Sequence, residues 1–315
     1  MRRKINLLPT PMAGLALAIA SLGWCWENLG QFHGAAQSIS AVIAAIMLTL
    51  IAVKFIINPQ SLWQDLQHPV VGSVVPTFAM GLMVVSNSLG KLSIMLGDTL
   101  WLAAVILHLF FLVYFSYHRA KVFDLNHMVP SWFVPPIGIV VANVSFSGTE
   151  ALLPIANITV TLGLLFYAVM LPLMIYRLIF LVEVPDAAKP TLAILAAPAS
   201  LNLAGYLTTT ANPSPVIVML LFGIAILMTA VIYLSFTKLL RLPFSPGYAA
   251  FTFPMVIGAT ALFKTASWMQ AQDIALKYVN QVKIIASIEL VIATLVVLYV
   301  AAHYHKFISL QWKTS

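Results

Sequence analysis

The chain has 315 residues, of which 61% are hydrophobic and 8% charged, a formal net charge of +7 and a mean hydropathy of +0.98. A soluble domain is roughly a quarter charged, so polar side chains cannot cover a globular surface here, and the composition specifies an all-α integral membrane protein. A single cysteine, Cys25, excludes an intramolecular disulfide and a cysteine-rich metal site, and the bases are scattered across loop ends, which signals topology rather than nucleic-acid binding.

A spanning helix needs about 20 mainly apolar residues. Ten segments qualify, at 11–28, 38–57, 69–90, 96–118, 130–148, 154–182, 190–209, 215–240, 246–268 and 277–303. The first follows a basic start, MRRKINLLPTPMAG, which resembles a signal peptide. Its apolar run continues to Trp26 without a convincing small-residue cleavage site, so it reads as a retained first helix. Turn chemistry separates the segments, as in Asn58-Pro59, Val184-Pro185-Asp186 and Asn212-Pro213-Ser214-Pro215. These breaks are too short for a soluble domain and make consecutive helices antiparallel neighbours. The expected organisation is an N-terminus over 1–10, one transmembrane domain over 11–303 and a tail over 304–315. With the N-terminus inside, twelve Lys and Arg lie on the inner side and four (Lys91, Lys264, Lys277 and Lys283) on the outer side or nearby helix ends. That asymmetry predicts a multi-pass protein of the inner (plasma) membrane with both termini cytoplasmic.

Prolines reveal an internal repeat. The third, fifth, seventh and ninth segments open on Pro69, Pro130, Pro190 and Pro246 and carry Pro76, Pro135-Pro136, Pro198 and Pro254 five to eight residues later. The first segment has only Pro9 and Pro11 at its start, and the even segments hold one internal proline, Pro172. Each pair of helices reads as one hairpin, used five times. A membrane helix keeps proline where neighbours or water satisfy the freed carbonyl. The recurring kinks predict a quasi-fivefold inner ring of odd helices around a central path, with even helices outside.

Enzyme motifs are missing: the chain holds no H-E-x-x-H, G-x-x-x-x-G-K-[ST], G-x-S-x-G or G-x-G-x-x-G. The reading is therefore a non-enzyme with no catalytic residue, metal site or cofactor. Mid-membrane titratable candidates are Glu289 and His108, both on even helices, where a structural hydrogen-bonding role is expected. Between Pro11 and Trp26, Pro69 and Gly90, Pro130 and Gly148, Pro190 and Thr210, and Pro246 and Trp268 the odd helices contain no Asp or Glu and one charge, Lys264. Cation pores generally rely on acidic rings or carbonyl cages. An apolar path with a weakly positive mouth suits small anions, and the same composition equally suits a sealed bundle core.

Four stretches carry a family resemblance: Leu8-Pro9-Thr10-Pro11-Met12-Ala13-Gly14, His68-Pro69-Val70, Val129-Pro130-Ser131-Trp132-Phe133-Val134-Pro135 and Phe251-Thr252-Phe253-Pro254. In order, they resemble the opening L-P-x-G-Y-F-G, the H-P-V run, the P-S-x-x-x-P segment and the F-[ST]-F-[GP] of the tellurite-resistance and dicarboxylate transporter (TehA/TDT) family, whose plant relatives are the guard-cell slow anion channels. Pro11 and Met12-Ala13 depart from the family pattern. The resemblance implies a homotrimer in the lipid bilayer, a central pore in each protomer, and a phenylalanine of the ninth helix that plugs it. Phe253 is the matching position, while Phe251, two residues away, points elsewhere. Gly14, Pro76, Pro136, Pro198, Pro254 and Lys264 are the expected lining. The function expected is passive conduction of small inorganic or organic anions, chloride or nitrate among them. The alternative is a secondary carrier exporting a C4-dicarboxylate, sulfite, tellurite or a related oxyanion.

Overall fold

Proline and long runs of Leu, Ile, Val and Ala divide the helices into two kinds. The computed structural model describes residues 2–314, and among them there is no strand. The helices are labelled α1 (Met12–Trp26), α2 (Ala35–Ile57), α3 (Val71–Gly90), α4 (Ile94–Lys121), α5 (Pro130–Val144), α6 (Leu153–Phe180), α7 (Asp186–Thr209), α8 (Pro215–Leu239), α9 (Pro246–Ala271) and α10 (Val279–Thr314). Among the described residues, eight helices are long and apolar enough to cross a membrane, and the protein is a multi-pass membrane protein. The other two expected spans, α1 and α5, are shorter: α1 has 15 residues, about 22 Å of rise.

The even helices are unbroken α-helix, even through Pro172 of α6. The odd helices α3, α5, α7 and α9 are built in pieces. In α7 a 3-10 stretch over Asp186–Ala196 precedes the α-helix Ala197–Thr209, and in α9 one over Pro246–Phe251 precedes Thr252–Ala271. Pro76 immediately precedes the second piece of α3; Pro135-Pro136, Pro198 and Pro254 each fall in the first turn of a new α-helical piece. A proline there removes an N–H that has no intrahelical partner anyway. This is how a chain of apolar helices keeps so many prolines.

Burial follows the same division. In the most apolar stretch of each span, 83% of α9 and 78% of α7 are buried, against 28% of α6 and α8. Every residue from 130 to 143 in α5 is buried, so this short helix is met by protein rather than lipid. Contacts run from α1 to α3, α5, α7 and α9 and return to α1, and each odd helix packs on the even helix that follows it. Close packing depends on glycine: a Cβ at Gly163 of α6 would lie 2.0 Å from Val140 of α5, and one at Gly205 of α7 would lie 2.4 Å from the same side chain.

Polar ties lock the layers. Asn143 donates to Ala156 O at 2.6 Å and to Thr209 Oγ1 at 2.9 Å. His108 meets the expectation for it, since its Nε2 donates to Pro135 O at 2.8 Å. Glu289 does not, because its Oε2 is buried without a hydrogen-bond partner among the described residues. Two features differ from the sequence reading. A helix over Pro59–Gln67 occupies what reads as a turn, and α10 continues to Thr314 rather than ending near 303.

Candidate functional site

The broken entries of the odd helices do not pack to the axis at the end where they begin. They leave a cavity of about 570 Å3, walled by α1, α3, α5, α7 and α9. Its mouth is polar and charge-balanced. Lys54, at the end of α2, donates to Thr10 Oγ1 at 2.9 Å, and Thr10 donates to Asp65 Oδ2 at 2.5 Å. The Lys54 ammonium lies 3.9 Å from the same Asp65 carboxylate oxygen. Beside them, His68 Nδ1 accepts the backbone N–H groups of Val70 and Val71, both at 3.1 Å, capping the start of α3. The tautomer with hydrogen on Nε2 is thereby fixed. Deeper in, the wall is apolar, with Leu17, Met80, Ile137, Ile194 and Leu201.

A second cavity of about 70 Å3 lies toward the opposite end, lined by α1, α3, α5 and α9 and including Ser21, Trp24, Asn28, Thr260 and Lys264. One residue belongs to both walls: Phe253. The residue is 8% exposed where Phe251 is 0%. Phe251 turns outward instead and packs edge-on against Phe236 of α8 and against Tyr248, with ring centroids 5.6 and 4.8 Å away. The change from 3-10 to α-helix at Thr252 separates the two rings.

The remaining expected lining residues divide. Gly14, Pro198 and Pro254 lie on the wall of the large cavity, and Lys264 on that of the small one. Pro76 and Pro136 are buried and on neither wall. Val74, Thr77 and Met80 line the cavity in place of the first, and Val134, Ile137 and Gly138 in place of the second. The Lys54–Thr10–Asp65 mouth is not foreseen by the sequence reading, which uses Lys54 only as a topology charge. Its one signal is the stretch Pro59–Gln67, whose polar and apolar residues alternate at helical spacing. No group of three or more His, Cys, Asp or Glu among the described residues forms a metal site.

With this geometry established, similarity to known proteins is informative. Residues 7–304 match the voltage-dependent anion channel family (SLAC1). The chain belongs to that family. It is a family of channels and transporters, and the match covers nearly the whole chain. Two transporters of Methanocaldococcus jannaschii, both named as uncharacterised, are also similar. MJ0762 is 27% identical over 237 residues, covering 67% of this chain and 68% of the relative. MJ0576 is 26% identical over 237 residues, covering 67% of each.

Proposed function

We infer that the chain is a passive anion channel, in which chloride- or nitrate-like anions cross along the axis of each protomer and Phe253 occludes the way. The observation that carries this reading is that Phe253 alone belongs to the walls of both cavities. A ring in a narrow apolar path blocks it sterically and by dewetting. Charge supports the sign of the ion. The one carboxylate on either wall is Asp65, and it is tied to Thr10 and Lys54 at the mouth. An apolar path without acidic rings offers a cation nothing to replace its water.

The architecture belonging to this reading is ten helices in five hairpins, with the odd helices as a quasi-fivefold ring around the path. The circular contacts and the burial contrast support it. Residues 11–303 form the channel domain; 1–10 and 304–315 lie on the cytoplasmic side of the plasma membrane, as the twelve-to-four excess of basic residues indicates. The assembly is a homotrimer with one path per protomer. A second reading, a carrier exporting a C4-dicarboxylate, sulfite, tellurite or related oxyanion, is favoured by the size of the large cavity, about 570 Å3, and by the transporter names of the two relatives.

The two readings separate in proteoliposomes holding Phe253→Ala. For a channel, the reversal potential follows the chloride or nitrate gradient and ignores an imposed proton gradient. A reversal potential that moves with the proton gradient supports the carrier.

A further inference from the structure

Beyond the Phe253 ring there is a charge without a counter-charge. Phe253, Ile257, Thr260 and Lys264 recur on α9 at i, i+4, i+7 and i+11, one stripe of the helix, and all four line the small cavity. Lys264 forms no ion pair or hydrogen bond with any described residue. The nearest acids along the chain and on the packed helices are engaged or turned away. Glu27 accepts the amides of Gly34 at 2.8 Å and Gln37 at 3.1 Å, and Asp273 is exposed in the turn after α9. Glu289 of α10 lies against Gly258, whose missing Cβ would meet its Oε2 at 2.8 Å. Gly258 sits on a different face of α9 from the stripe.

An unpaired ammonium on the wall of a cavity near the outer end of a membrane-spanning segment is a candidate functional group, and a mobile anion can supply its counter-charge. The cavity sets its size. At about 70 Å3, against about 570 Å3 for the large cavity, it is the tighter of the two spaces. A small inorganic anion such as a halide or nitrate suits that space better than a C4-dicarboxylate does. The same wall carries the Ser21 hydroxyl and the Asn28 amide, one N–H of which bonds Cys25 O at 2.8 Å, while the Thr260 hydroxyl donates to Val256 O at 3.0 Å.

We propose that Lys264 holds a single, largely dehydrated monovalent inorganic anion in the small chamber beyond Phe253. This site rests on the reading of the axis as the conduction route, and it lies beyond the larger cavity that an anion enters first. The large cavity is then a reception space, and the chamber is where an anion must shed its water to pass.

Bromide is the probe. Crystals of the full-length wild-type protein soaked in bromide should show an anomalous peak beside Lys264 Nζ. The peak should vanish in Lys264→Met, which keeps the shape and loses the charge, and persist in Lys264→Arg. In proteoliposomes with Phe253→Ala, adding Lys264→Met should raise the half-saturating bromide concentration about tenfold, the loss of one hydrogen bond to a charged group. An empty chamber in wild-type crystals overturns the proposal even if Lys264→Met fails to fold, and so does a peak that survives Lys264→Met. Failure of the channel reading looks different. Phe253→Ala without bromide flux, beside a peak that depends on Lys264, removes the channel and leaves the anion site standing. Flux that is indifferent to Lys264→Met, together with an empty chamber, removes the site and leaves the channel.

Discussion

The odd and even helices are made from the same apolar residues and behave as two materials. The even helices α2, α4, α6, α8 and α10 are long, continuous and largely exposed, with Leu234 of α8 at 75% and Ile106 of α4 at 60%. Of the odd ones α1 is short, α3, α5, α7 and α9 start in 3-10 turns or short pieces, and all are largely enclosed by protein. The difference teaches where a membrane protein tolerates irregular backbone. Carbonyls freed by a proline cannot face hydrocarbon, so they lie where protein or a cavity receives them. The same holds where a helix type changes: His108 donates to the carbonyl of Pro135 at a break in α5.

The comparison breaks most visibly with a charge. Gly14 lies on the wall of the large cavity, and a Cβ there meets ordinary contacts, the nearest Ala249 Cβ at 3.5 Å. Gly14→Asp therefore fits and adds a fixed negative charge. At an effective dielectric of about 20, like charges about 4 Å apart repel by about 4 kcal/mol. In the Phe253→Ala background, anion flux should fall roughly a hundredfold, since water at the open mouth screens part of that repulsion. Unchanged flux from a folded protein would place Gly14 outside the route.

Stability sharpens the same contrast. Leu203 of α7 is fully enclosed, and Leu203→Ala should cost about 2–5 kcal/mol, the usual range for a buried leucine. Leu234→Ala on the exposed face of α8 should cost less than about 0.5 kcal/mol, as exposed substitutions do. Thermal unfolding in detergent compares the two, and equal losses would dissolve the distinction between enclosed and outer helices.

The smallest effect is a difference in labelling rate. In a Cys25→Ser background, Met80→Cys and Ile137→Cys point into the large cavity and should react with a water-soluble thiol reagent faster than Pro76→Cys and Pro136→Cys, which lie behind it. Faster labelling at the prolines would mean that the kinks, not their neighbours, face the axis.

That last pair shows where sequence reading ends. The alternation of helix types was legible because proline is a backbone signal that survives any packing. Gly14 and Phe253 stood out in the sequence through the family resemblance and Pro198 through the proline repeat, and all three line the large cavity. The facing of Pro76 and Pro136 was not. A 3-10 helix advances by 3.0 residues per turn and an α-helix by 3.6, so each junction resets which side chain meets the axis. In α5 the type changes three times between Pro130 and Val144. The Lys54–Thr10–Asp65 mouth was hidden for another reason. Its three members come from separate stretches of chain, brought together by the helix over Pro59–Gln67, whose nine residues read as a turn.

The central claim is that the Phe253 ring closes a continuous anion route, and the most direct measurement is chloride or nitrate efflux from proteoliposomes holding Phe253→Ala beside Phe251→Ala. Loss of a ring that borders two cavities should open the route and leave the fold intact. Loss of the Phe251 ring, packed between Phe236 and Tyr248, should destabilise the protein by about 3–5 kcal/mol without opening it. Efflux from Phe253→Ala alone is the predicted result. A destabilised, non-conducting Phe253→Ala, or equal efflux from both variants, would contradict the account.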